Sequence, residues 1–76
     1  MVDNDVQYAS VESSNLAAVG YDAENMNLFV KFKNGLTYGY LHVPERVYAE
    51  LMAAESKGKY LAAHVKNVYS YTRLQT

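Results

Sequence analysis

Asn27-Leu28-Phe29-Val30-Lys31-Phe32-Lys33-Asn34-Gly35-Leu36-Thr37-Tyr38-Gly39-Tyr40-Leu41-His42-Val43 carries the clearest structural signal in the chain. Two runs rich in β-branched and aromatic residues flank Asn34-Gly35, a dipeptide whose residues both accept positive φ. The reading is a β-hairpin closed by a two-residue type I′ turn, joining Asn27–Lys33 to Leu36–Val43. Such a loop sets Lys31 opposite Tyr38 and Phe29 opposite Tyr40. Alternation then divides the hairpin into two faces. Leu28, Val30, Phe32, Thr37, Gly39, Leu41 and Val43 are expected to face the core. Phe29, Lys31, Lys33, Leu36, Tyr38, Tyr40 and His42 are expected on the opposite side.

Working outward, Leu16–Asp22 reads as a preceding strand, with Val19 and Tyr21 joining the core face. A turn over Asp22–Met26 completes a three-stranded antiparallel meander. Downstream, Pro44 suits the first position of a helix, where its missing N–H costs nothing. Val47 with Leu51, and Tyr48 with Met52, form an i, i+4 stripe on a helix over about Pro44–Glu55. Ser56-Lys57-Gly58 interrupts it. A second helix over about Lys57–Lys66 buries Leu61, Val65 and Tyr60. The alternating tail Val68–Leu74 is a candidate closing edge strand. The fold class is α+β, with two helices packed on one face of an antiparallel sheet.

The chain has 76 residues, half of them apolar, and a formal net charge of −1. That length supports one small domain and no deep enclosed cavity. It contains no cysteine, which excludes disulfides, thiolate metal sites and thiol catalysis. The opening stretch, Met1–Ser10, is polar and acidic, reads as a flexible tail ahead of a domain over 11–76, and has no signal-peptide character. With no apolar run long enough for a membrane span, a cytoplasmic protein is expected. Charge is divided unevenly. Asp3, Asp5, Glu12, Asp22 and Glu24 precede residue 25 with no Lys or Arg among them, while all seven bases follow it.

That asymmetry directs attention to the aromatic-basic face. Phe29, Tyr38 and Tyr40 offer rings that can stack on unpaired bases, and Lys31, Lys33 and His42 lie among them to meet phosphates. The plainer alternative is packing, with the rings covered by the Tyr69–Tyr71 tail. Lys57, Lys59 and Arg73 form a second candidate patch. Ser56-Lys57-Gly58-Lys59 sits at an expected helix start, where free N–H groups attract phosphate, although the P-loop spacing is absent. His42 and His64 lack companions at metal-ligand spacing, so no metal is expected. Ser13-Ser14 has no base placed to activate it, and Glu45, Glu50 and Glu55 fall on the solvent side of their helix. A non-catalytic chain without a cofactor is the expectation. Eight tyrosines equally suit a protein-contact surface.

These residues resemble the KTSC family, a small domain at the C-terminus of some lysyl-tRNA synthetases that also occurs as a stand-alone protein in bacteria and phages. Its carriers are Ser13-Ser14-Asn15, Gly20-Tyr21-Asp22, Leu28–Gly35, the hallmark Tyr38-Gly39-Tyr40, Val43-Pro44, Ser56-Lys57-Gly58 and Asn67-Val68-Tyr69. The resemblance spans Val11–Leu74. It implies no catalytic residue or cofactor, and marks Tyr38 and Tyr40 as a recognition or packing pair. Two functions are carried forward. One is RNA or single-stranded nucleic-acid binding through the aromatic-basic face. The other is a protein-interaction or self-associating domain.

Overall fold

A computed structural model describes residues 6–74. Five strands lie side by side in chain order, every neighbouring pair antiparallel: β1 (Tyr8–Ser10), β2 (Leu16–Asp22), β3 (Asn27–Phe32), β4 (Thr37–Tyr40) and β5 (Tyr71–Leu74). Helices α1 (Glu45–Ala53) and α2 (Lys57–His64) come between β4 and β5. The expected meander is β2 to β4, and β5 is the closing edge strand. The sheet nevertheless has two more strands than the meander alone. Part of the expected tail, Met1–Asp5, falls outside the described residues, and Tyr8–Ser10 is strand β1, paired with Gly20, Val19 and Ala18.

Both helices cover one face. Leu16, Val19, Leu28, Val30 and Tyr40 of the sheet pack with Val43, Val47, Leu51, Leu61 and Val65. Each fully buried aliphatic side chain there contributes roughly 1.5–3 kcal/mol of transfer free energy. In α1 the stripe that is buried is Val47 and Leu51, one turn apart. Pro44 stands one position earlier than expected, as the N-cap with φ −63°. Ser56 caps α2 by accepting a hydrogen bond from the Lys59 N–H. The Tyr60 hydroxyl donates to Glu50 at 2.6 Å, tying α2 to α1.

The hairpin register differs by one residue from the expected one. Leu28 faces Tyr40, Phe29 faces Gly39, Val30 faces Tyr38 and Lys31 faces Thr37. The cause is the turn. The Gly35 N–H donates to the Phe32 carbonyl at 3.0 Å, and the Phe32 N–H donates to the Leu36 carbonyl at 2.8 Å. The loop therefore has three residues, Lys33, Asn34 and Gly35. Only Gly35 (φ +95°) takes positive φ, as in a type I turn followed by a glycine bulge. Asn34 serves through its side chain, whose Oδ1 accepts from the Leu36 N–H at 3.0 Å.

Because side chains alternate with period two, this single step exchanges the two faces of β4. Tyr38 and Tyr40 join Leu28, Val30 and Phe32 on the helix-covered face. Thr37 and Gly39 join Phe29 and Lys31 on the outer face. The expected helix-side positions of Thr37 and Gly39, and the expected outer positions of Tyr38 and Tyr40, are thus corrected by the length of the turn, although Thr37 is buried as expected.

Candidate binding groove

The reversed strand determines what each expected site residue can do. Phe29 is fully buried on the outer face, with Tyr8 edge-on at 6.5 Å and Gly20 and Gly39 as its cross-strand partners. Its ring is closed to a ligand. Lys31 is on the same face, its Nζ 4.1 Å from the centre of the Tyr8 ring, a cation–π contact. His42 lies beyond the end of β4 with φ +58°, in the link to α1. Lys57 donates from Nζ to the Ala54 carbonyl at 3.1 Å, within the interhelical link. Lys59 is exposed in the first turn of α2, and Lys33 is exposed in the β3–β4 turn. The single aromatic-basic face expected from Phe29, Lys31, Lys33, Tyr38, Tyr40 and His42 is therefore not formed.

Another arrangement forms from some of the same residues. Register places Arg73 opposite Tyr38 and Tyr71 opposite Tyr40. The rings of Tyr38 and Tyr71 stack at 5.0 Å with an interplanar angle of 27°. Phe32 and Tyr40 meet Tyr38 edge-on at 5.4 and 6.4 Å. Tyr40 is 2% exposed, whereas Tyr71 is 57% exposed, so the cluster runs from the core to an open edge. Burial raises the Tyr40 phenol above its ordinary pKa, reinforced by Tyr38 and Tyr71. It is therefore a neutral hydrogen-bonding group at neutral pH.

Between this cluster and α2 lies a groove of about 220 Å³. Phe32, Tyr38 and Tyr40 form its sheet wall, and Gly58, Leu61 and Ala62 its helix wall. Asn15, Asn34 and Lys66 stand at its rim, and none of its lining residues is acidic. Gly58 fits there because Asn15 leans against it: a Cβ on Gly58 would meet Asn15 Oδ1 at 2.6 Å. The Ser13 hydroxyl holds that oxygen by donating to it at 3.1 Å. Among the described residues the one ion pair is Arg46–Glu50, so Lys33, Lys59, Lys66 and Arg73 have no carboxylate partner there.

Of the expected residues, then, the structure gathers Tyr38, Tyr40 and Arg73, with Lys33 next to the rim residue Asn34. Phe29, Lys31, His42, Lys57 and Lys59 are not among the residues of this cluster or groove. Tyr71, Lys66, Asn15 and Asn34 were not expected as site residues. A trace of them is present in the sequence: Gly58, Ala62 and Lys66 recur at four-residue spacing, which is one face of a helix. Among the described residues no cluster of His, Asp or Glu could hold a metal ion, and no helix is long and apolar enough to cross a membrane.

Comparison with known proteins adds a lineage. Residues 12–69 match the KTSC domain. A protein of Tsukamurella paurometabola is 45% identical over 56 residues, covering 74% of this chain and 84% of its own length. An uncharacterized protein of Stutzerimonas stutzeri is 36% identical over 66 residues, or 86% of this chain and 93% of that one. A lysine--tRNA ligase of a Nostoc species is 35% identical over 63 residues, which are 83% of this chain but 11% of the ligase. The crystal structure of a KTSC domain protein from Yersinia pestis superimposes with a TM-score of 0.87 at 35% identity, covering 92% of this chain and 99% of that one.

Proposed function

The chain belongs to the KTSC domain family, and from that premise we propose that it is a non-catalytic cytoplasmic module that binds RNA or another single-stranded nucleic acid. The observation that carries this reading is the exposed Tyr71 ring stacked on Tyr38, beside Arg73 and a groove whose rim bears Lys66. A base that extends the Tyr38–Tyr71 stack gains roughly 1–3 kcal/mol. In this reading Lys33, Lys59, Lys66 and Arg73, which have no carboxylate partner among the described residues, meet the phosphates on either side of it. The similarity of this domain to a segment of a lysine--tRNA ligase supports RNA by association.

The test is a titration of labelled protein with a short single-stranded RNA at low and moderate salt, followed by backbone amide shifts. Expected shifts fall on Tyr38, Lys66, Tyr71 and Arg73 and weaken as salt rises. Tyr71→Ser should lower affinity by about 5- to 150-fold, the equivalent of one lost stack. Arg73→Gln should flatten the salt dependence by about 0.7 in log–log slope. Absence of shifts at low salt would overturn the reading.

One observation favours a second reading, a protein-interaction or self-associating domain. Strand β5 is a sheet edge with Tyr71, Thr72 and Arg73 all exposed, and Val68 just before it is 62% exposed. An unpaired edge next to an apolar side chain is a template for another strand. A mass that rises with protein concentration supports this second reading.

A further inference from the structure

The wall of the groove includes the phenol of Tyr40. Tyr40 is 98% buried, yet its hydroxyl has no hydrogen-bond partner among the described residues. No fully enclosed polar side-chain atom there lacks a partner, so this hydroxyl reaches solvent, at the groove that Tyr40 lines. A phenol O–H that opens to the groove is free to donate to an acceptor bound there.

The surrounding groups specify what that acceptor is. Lys66 brings a positive charge that has no carboxylate partner among the described residues. The Asn34 carboxamide has its oxygen occupied by the Leu36 N–H, and the Asn15 carboxamide has its oxygen occupied by the Ser13 hydroxyl. Each amide therefore retains its NH₂ as its unused donor. Gly58, in the first turn of α2, forms part of the helix wall, where the helix dipole favours negative charge. Donors and a positive charge line one space, and no acid lines it. The volume of about 220 Å³ is below the roughly 300–1,000 Å³ of sites that enclose a whole drug-sized ligand. A space of that size suits one compact group.

We propose that this groove is a seat for a terminal phosphate monoester, held by Lys66, the Tyr40 hydroxyl and the Asn15 and Asn34 carboxamides. The inference deepens the nucleic-acid reading and rests on it for the source of the phosphate, the 5′ end of a strand whose first base reaches the Tyr38–Tyr71 stack. The same chemistry would accept free inorganic phosphate.

Three probes distinguish these sources: inorganic phosphate, a short RNA with a 5′-phosphate, and the same RNA without it. They are applied to the wild type, to Tyr40→Phe, which removes only the hydroxyl, and to Lys66→Gln at the exposed rim. The expected result is that the 5′-phosphate tightens RNA binding about tenfold, as charge-assisted hydrogen bonds do, with shifts at Asn15, Gly58 and Lys66. Both variants should lose that advantage while still binding the unphosphorylated strand. Equal binding of the two RNAs to the wild type overturns the inference and leaves the nucleic-acid reading standing. An advantage that survives in both variants also overturns it. Should neither RNA bind while inorganic phosphate shifts these residues in the wild type alone, the phosphate seat stands and the nucleic-acid reading fails.

Discussion

Leu28 and Tyr40 are direct cross-strand partners on the helix-covered face, both essentially removed from solvent. Through this pair the Tyr38-Gly39-Tyr40 segment has two structural roles at once. Tyr40 closes the core beneath α2, and Tyr38, two residues earlier, carries the stack outward to Tyr71.

Replacing Tyr40 by Ser removes a ring from a packed core and is expected to cost about 3–5 kcal/mol, in the range of large aromatic truncations. Tyr40→Phe should stay within about 1.5 kcal/mol of the wild type, as a volume-conserving change. Urea denaturation of both variants checks the pair. Equal, small losses would place Tyr40 outside the core.

Gly35 sets the turn, and nothing lies within 4 Å of a Cβ added there. Any penalty of Gly35→Ala therefore comes from the backbone at φ +95°, an expected loss of roughly 1–2 kcal/mol. Gly35→Asn should recover part of it, because Asn tolerates left-handed backbone better. Thermal melts of the two variants compare them, and identical stabilities would contradict a glycine-specific turn.

Gly20 allows β1 and the two residues before it to lie close to β2. A Cβ at this position would meet Val6 Cγ1 at 2.6 Å and the Gln7 carbonyl at 3.1 Å. Gly20→Ala should cost about 1–3 kcal/mol as overpacking, with faster amide exchange concentrated in Tyr8–Ser10. Unchanged protection of β1 alongside loss in α2 would show that the strain is absorbed elsewhere.

The Tyr60–Glu50 hydrogen bond gives stability a pH window. Its acceptance by Glu50 pushes the Tyr60 phenol up from 10.0 to about 12, and the same bond lowers the Glu50 carboxyl below its usual 4.5. The tyrosine contribution is full below pH 10.0 and fades as pH climbs through about 12. The glutamate contribution is full above pH 4.5 and fades as pH falls through its lowered value. Melting temperatures across pH should therefore show both limbs in the wild type and shallower limbs in Tyr60→Phe. Coincident profiles would mean that the bond does not persist in solution.

Much of this architecture is legible in local signals. The alternation of Leu28, Val30 and Phe32, the i, i+4 pair Val47 and Leu51, Pro44 at a helix start and Ser56 at a cap each act over a few residues. Each of these elements is found close to where the sequence indicates it. Strand β1 is less legible because three residues are too short a run to show alternation, and they become a strand by pairing with Ala18–Gly20.

Local patterns along the chain suffice for the α+β class, the hairpin, the two helices, and a KTSC-like pattern centred on Tyr38-Gly39-Tyr40. Tertiary structure alone decided which way those tyrosines point. Asn34-Gly35 is compatible with a two-residue turn and with a three-residue turn ending in a glycine bulge, and these differ by one residue in register. A difference of one residue reverses every side chain of β4, and local backbone preference does not resolve it. The choice rests on contacts far apart in the chain, where Tyr40 fills the core with Val43, Val47 and Leu61 and Tyr38 meets Tyr71. Burial of those rings against the helices and β5 outweighs exposing them, and it turns an expected open face into a groove.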